Sequence, residues 1–220
     1  MNAPTQIILE HARAIVEVAE RWEADQLIGH NGGPALDSAP LTIRVAQEIV
    51  EHEGIVLEAY LDSVGVWTWG IGVTNKSGHL VARYKDQPAT IERCIEIYVW
   101  LLRNVYVPDV LAEFEGHELT EAQFAAALSF HWNTGAIRQA SWCDAWKAGD
   151  ANAARKRFLD WKKPAAIIPR RKAEAALFFD GIWSQDGKAS VIPVSKPSYK
   201  PNFAKARQVD IREQLRSALT

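Results

Sequence analysis

Apolar residues recur along this chain with two different periods. Between residues 4 and 28, Ile8, Ala12, Ile15, Val18, Ala19 and Trp22 return every three or four positions, the spacing of one face of an amphipathic helix. Acidic residues hold much of the other face, which disfavours docking on an anionic membrane and favours packing on the rest of the chain or on a second copy. Gly29-His30-Asn31-Gly32-Gly33-Pro34 breaks the pattern and reads as a linker. It lacks the Lys-Ser/Thr and the preceding strand of a phosphate-cradling loop. A second helix is predicted from about Thr42, a suitable N-cap, to His52, with Ile43, Ala46, Ile49 and Val50 as its apolar stripe and Glu53-Gly54 at its end.

From Ala59 to about Val73 the texture becomes that of strands. Tyr60, Val64, Val66, Trp67, Thr68, Trp69, Ile71 and Val73 are β-branched or aromatic, and Gly65, Gly70 and Gly72 punctuate them. Two or three short antiparallel strands are expected, then a turn at Asn75-Lys76-Ser77-Gly78. The helical period returns over Thr90 to Val105. Thr120 and Gln123 form a capping box that opens a helix carrying Phe124, Ala127, Leu128 and His131. Short helices follow over Trp142–Lys147 and Ala151–Trp161, then one from near Pro169 through Phe178 with Gly181 as its stop. Residues 184–220 are polar, contain three prolines and end in a short helix near Arg212–Leu219. A small β region followed by many helices is an α+β arrangement.

Composition narrows the function classes. The chain has 220 residues, of which 48% are hydrophobic and 24% charged, ordinary values for a globular protein, and the length fits one domain with additions or two small ones. No apolar run approaches the roughly 18 residues of a membrane span, and no signal peptide is visible at the N-terminus. The formal charge of −2 argues against bulk binding to nucleic acid. Charge is uneven, however. Residues 1–40 hold two basic and six acidic side chains, and residues 184–220 hold seven basic and three acidic. The two ends could pair, face different partners, or remain solvated appendages. Cys94 and Cys143 are too few for a disulfide framework, and separate thiols are expected. Nine tryptophans point to an aromatic core, and more weakly to sugar stacking.

Glu53 at a helix end, Asp62 nine positions on and Thr68 six further could face one cleft beside the glycine-rich strands. Cleaving a glycosidic bond needs such a pair of carboxyls, one protonated for the leaving oxygen and one ionised for water. Spacing alone leaves a plainer alternative: Glu53 pairs within its helix and Asp62 sits in a turn. The surrounding residues add a resemblance. Glu53-Gly54, Ala59-Tyr60-Leu61-Asp62, Gly65 and Thr68-Trp69-Gly70-Ile71-Gly72 resemble the signature of the phage-type lysozymes, the endolysins of glycoside hydrolase family 24: Glu, eight residues, Asp, five residues, Thr, then Gly-x-Gly. Ser129-Phe130-His131-Trp132-Asn133-Thr134-Gly135 is similar to the family's Ser-Phe-x-x-Asn-x-Gly turn. Pro169-Arg170-Arg171-Lys172-Ala173-Glu174 through Phe178 is similar to its double-arginine helix, with Ala166-Ile167 in place of the usual Gly-Leu. The resemblance covers about residues 41–183.

This resemblance implies a lysozyme-like fold, with a small antiparallel β-lobe, a larger helical lobe and a cleft between them. It implies a muramidase that hydrolyses the β-1,4 bond between N-acetylmuramic acid and N-acetylglucosamine in peptidoglycan with inversion. Glu53 resembles the general acid, Asp62 the carboxylate that activates water and Thr68 the hydroxyl that fixes it, with the two carboxyls roughly 6.5–9.5 Å apart. An arginine of the pair Arg170 and Arg171 is expected beside Glu53, and Asn133 at the cleft lip, bonding saccharide or backbone, with the turn role favoured. His131 is expected to be packed, His79 solvated, Trp67 and Trp69 in the core or on a sheet face, and Tyr60 in the core. No metal or organic cofactor is implied. The enzyme would wait in the host cytoplasm and reach the wall through a membrane lesion, as made by a holin. The rivals are a non-catalytic virion or wall-binding protein of the same fold and a chitin-type glycosidase. Because the chain is mildly acidic, wall attraction is expected from the basic tail, so deleting residues 184–220 should weaken binding more at low salt than at high.

Overall fold

The computed structural model describes residues 41–184 and 186–220, so the helix and linker expected over 1–40 lie outside the described residues. Helix α1 (Ile43–Glu53) starts where the Thr42 hydroxyl accepts the Val45 N–H at 3.1 Å, and it buries Val45, Ala46, Ile49 and Val50. Gly54, at φ +69°, ends it and turns the chain into the β region. There β1 (Val56–Leu61), β2 (Trp67–Gly70) and β3 (Val73–Thr74) form an antiparallel sheet in chain order, with Tyr60 opposite Thr68 and Thr68 opposite Thr74.

The helical lobe is α2 (Ile91–Leu101), α3 (Val107–Glu113), α4 (Glu121–Thr134), α5 (Ser141–Lys147), α6 (Ala151–Leu159) and α7 (Ile168–Asp180). The predicted capping box is formed at Thr120 and Gln123. Helix α4 is buried from Phe124 to Trp132, as a helix apolar on every side must be, and it packs against α7 and α1. Around it Phe130, Trp142, Phe158 and Phe178 form an aromatic cluster, with Trp142 centred 4.7 Å from Phe158 and 5.0 Å from Phe178. In the β-lobe the buried Trp69 stacks on Tyr84 at 3.7 Å. Among the described residues no helix is long and apolar enough to cross a membrane.

Two regions differ from the expectation. The helix from Thr90 does not stop at Val105. It widens into a π turn over Leu102–Tyr106 and continues as α3. Pro108 lacks the N–H for a bond to residue 104 and its ring crowds that carbonyl, and the wider turn relieves both. The residues after Trp183 are not a solvated tail. They form β4 (Lys188–Val191), a β5–β6 hairpin (Val194–Ser195 with Lys200–Pro201), β7 (Arg207–Asp210) paired with β4, and α8 (Arg212–Leu219). Ile211 and Leu215 are fully buried as α8 packs on α1 and α2. Strand β4 is tied to the start of the β-lobe: Ile55 N–H donates to Ser190 O and Ile192 N–H to Ile55 O, both at 2.8 Å. Several of the basic side chains are also engaged: Lys196 with Glu58 and Asp86, Arg212 with Asp210, Arg216 with Glu213. Deleting 184–220 would therefore strip core residues along with charge, and it is not a clean test of wall attraction.

Candidate active site

Glu53 is the last residue of α1, so the helix fixes its Cα and aims its side chain at the sheet. The side chain is 19% exposed. Its Oε1 is ion-paired with Arg170 of α7. Its Oε2 faces Gly72, where an added Cβ would stand 3.0 Å from that oxygen and 3.4 Å from Trp132 Nε1. Glycine at position 72, in the motif Gly70-Ile71-Gly72, is thus what lets the sheet approach the carboxylate.

Arg170 belongs to a buried network. Its Nε donates to Glu174 Oε1 at 2.8 Å and its second amino group to the Ser129 carbonyl at 3.1 Å. The Ser129 hydroxyl donates to Glu174 Oε1 at 2.6 Å, and Glu174 is fully buried. Arg171 pairs with the other Glu174 oxygen and donates to Trp161 O at 3.0 Å and to Asn133 Oδ1 at 2.8 Å. The double-arginine helix and the Ser-Phe-x-x-Asn turn therefore join in one array with Glu53 at its end. Such a fully bonded set of charges holds geometry more than it adds stability. Asn133 is exposed, and its side chain bonds Arg171, not the turn backbone where it was expected to act.

Across from Glu53, Asp62 follows β1. Its Oδ1 accepts the N–H groups of Val64 at 2.9 Å and Val66 at 2.8 Å, which pins the turn and the carboxylate to each other. Oδ2 has no protein partner among the described residues. Thr68, 4% exposed, sits on β2 with its hydroxyl donating to Val66 O at 3.2 Å, so its lone pairs remain free to accept. Tyr60, expected in the core, is only half-buried. Burial, then the charges of Glu53 and Asp62, push its phenol well above the usual tyrosine range. Tyr98 and Tyr106 are raised by burial and then by Glu53 in the same way. These tyrosines carry no sequence signal apart from helical or strand spacing.

Other expected positions stand apart. His79 is not solvated. It is 4% exposed, stacks on Trp69 and shares a 3.1 Å hydrogen bond with the Tyr84 hydroxyl, because the turn after β3 folds back over the sheet. Burial, then Arg83 and Arg93, lower its pKa to about 4. His131 is packed in α4, 3.2 Å from Asp109. Cys94 and Cys143 are both buried, free thiols. A pocket of about 520 Å³ opens beside Asn133 and Arg171, and Arg157, Trp161, Lys163 and the pair Lys162 and Asp160, 3.3 Å apart, also line it, so basic side chains outnumber the acidic one.

A family model for phage lysozymes matches residues 50–174, a span that holds every side chain of the site just described. The endolysin of Salmonella phage P22 is 33% identical over 140 residues, 58% of this chain and 89% of its own length. That of Acyrthosiphon pisum secondary endosymbiont phage 1 is 27% identical over 143 residues, 59% of this chain and 91% of its own. Among solved structures, the endolysin of Escherichia coli O157:H7 phage FAHEc1 superposes with a TM-score of 0.55 at 23% identity, over 71% of this chain and 99% of that one.

Proposed function

The chain belongs to the phage lysozyme family, and from that premise we propose that it is a peptidoglycan muramidase, cleaving between N-acetylmuramic acid and N-acetylglucosamine to lyse the bacterial host. The observation that carries the reading is the pairing of two differently held carboxyls. Glu53 has one oxygen fixed by Arg170 and the other turned to the sheet, while Asp62 has one oxygen fixed by its own turn and the other free. Glu53 Oε2 then carries the proton given to the leaving glycosidic oxygen. Asp62 Oδ2 and the Thr68 hydroxyl hold the water that attacks from the opposite face of the sugar, which inverts the anomeric centre.

The cationic pocket beside Asn133 suits the carboxylates of the peptide carried by muramic acid, a group that chitin lacks. The names of the relatives support a role in host lysis. Residence in the host cytoplasm until a holin-type lesion opens the membrane is part of the same proposal. The test is loss of turbidity of outer-membrane-permeabilised Gram-negative cells, comparing wild type with Glu53→Gln. Lysis by wild type alone is expected. Lysis by both would move the chemistry away from Glu53, and lysis by neither would favour a non-catalytic wall-binding role.

A further inference from the structure

The segment after β4 meets the β-lobe at the residue the mechanism needs held still. Leu61 N–H, on the edge of β1 away from β2, donates to Tyr199 O at 2.8 Å. One residue along, Lys200 Nζ donates to the main-chain carbonyl of Asp62 at 2.7 Å. These two bonds bracket the Leu61-Asp62 peptide from outside the sheet. Within the lobe, Asp62 N–H already goes to Val66 O at 3.0 Å and Oδ1 takes two further N–H groups. The Asp62 carbonyl also takes the Gly65 N–H at 3.2 Å, so Lys200 is its second and shorter donor, and every polar group of Asp62 except Oδ2 is bonded among the described residues.

A second observation marks the same junction. Asp86 and Tyr199, at φ +60° and +54°, are the non-glycine residues with positive φ among those described. They touch each other: the Tyr199 hydroxyl lies 3.0 and 2.8 Å from the two Asp86 carboxylate oxygens. Lys196 bridges Asp86 to Glu58 on β1. Trp67 of β2 sets its ring edge to face with Tyr199 at 5.3 Å. Left-handed backbone at ordinary residues persists where the surroundings over-determine it, and it gathers at functional sites. Here it turns the Tyr199 carbonyl toward Leu61 and brings Lys200 to Asp62.

We propose that residues 194–201, which lie beyond the span matched by the family model, act as a strap that fixes the Asp62 turn, with Lys200 as a positioning residue for Asp62. The inference rests on the muramidase reading. Misplacing the water-holding carboxylate by a fraction of an ångström affects the chemical step more than substrate binding. Lys200 touches the carbonyl and not the reacting atoms, so its removal should lower kcat and leave KM in place.

The test measures initial rates of dye release from labelled Gram-negative sacculi over a range of sacculus concentration, with melting curves in parallel. Lys200→Met should lose about tenfold in kcat, with KM within about twofold and Tm within about 2 °C. Lys200→Arg, which can still donate to the carbonyl, should recover most of the loss. Lys205→Met removes an exposed charge from the same extension and should behave as wild type. If Lys200→Met matches Lys205→Met, Lys200 positions nothing and the proposal fails. It fails equally if Tm falls with kcat and arginine does not rescue, since the role is then only structural. A wild type that releases no dye overturns the muramidase reading itself, and this inference with it.

Discussion

The contact between Gly72 and Glu53 converts directly into a prediction. Gly72→Ala introduces a Cβ at a position with φ +72°, where it would stand 3.0 Å from Glu53 Oε2 and 3.4 Å from Trp132 Nε1. The left-handed backbone costs an alanine about 1–2 kcal/mol. In a chain of this length that lowers Tm by roughly 2–8 °C. The steric effect is separate. The carboxylate must retreat by a few tenths of an ångström, yet Arg170 holds its other oxygen and buried Trp132 closes one side. A displaced acid misaligned with the leaving oxygen should cost about 10- to 100-fold in kcat. Gly181→Ala supplies the control, because Gly181 has φ +68° with nothing within 4 Å of an added Cβ, at the end of α7. The two variants should lose similar Tm in melting curves, while only Gly72→Ala loses turnover in dye release from sacculi. Equal turnover in both would refute the argument that Gly72 sets the position of Glu53 and that this position matters.

Three further outcomes follow from the same geometry. Arg170→Met leaves Glu174 and Glu53 without their shared cation and should cost about 3–5 kcal/mol in urea unfolding, whereas a loss under about 1 kcal/mol would show that the network relaxes freely. Thr68→Val keeps the shape and removes the hydroxyl; activity should drop at least about 100-fold with stability changed by only about 1 kcal/mol, and retained lysis would remove Thr68 from the mechanism. His79 titrates near 4 when folded against an ordinary 6.5, so the unfolded chain binds its proton first as pH falls. Its contribution is complete above about pH 6.5 and is lost toward pH 4, a slope worth about 3 kcal/mol in all. The difference in unfolding free energy between wild type and His79→Phe should fall in favour of the variant as pH drops across that window, and a constant difference would mean a solvated imidazole that titrates as freely as in the unfolded chain.

What the sequence made legible, and what it hid, divides by how far each contact reaches. The helix caps at Thr42 and Thr120 and the stop at Gly181 were readable because each is a local bargain between a side chain and backbone a few residues away. The order Glu53, Asp62, Thr68 was readable because it recurs with fixed spacing in a known family. That one of the two arginines would meet Glu53 followed from the same resemblance, but which one did not, since Arg170 and Arg171 differ only in helical phase. Tyr60 reads as core because alternation along β1 gives its face and not its neighbours across the sheet. His79 reads as solvated because its partners, Trp69 and Tyr84, reach it only through the folded turn.

The C-terminal extension, residues 184–220, is the extreme case. Its attachments run through the main chain of Ile55, Leu61 and Asp62, groups that nearly every residue owns, so no residue type announces them. Its buried apolar residues are few, Ala189, Val191, Ile192, Ile211 and Leu215 among lysines, serines and prolines, too sparse to show a period. Its backbone bonds are also hard to probe, because substitution leaves them standing. Lys196 and Tyr199 hold the segment to Glu58, Asp86 and Trp67 through side chains, and Lys200 is the side chain that reaches the Asp62 carbonyl itself. Its substitution tests the strap's hold on the active site without dismantling the fold that carries it.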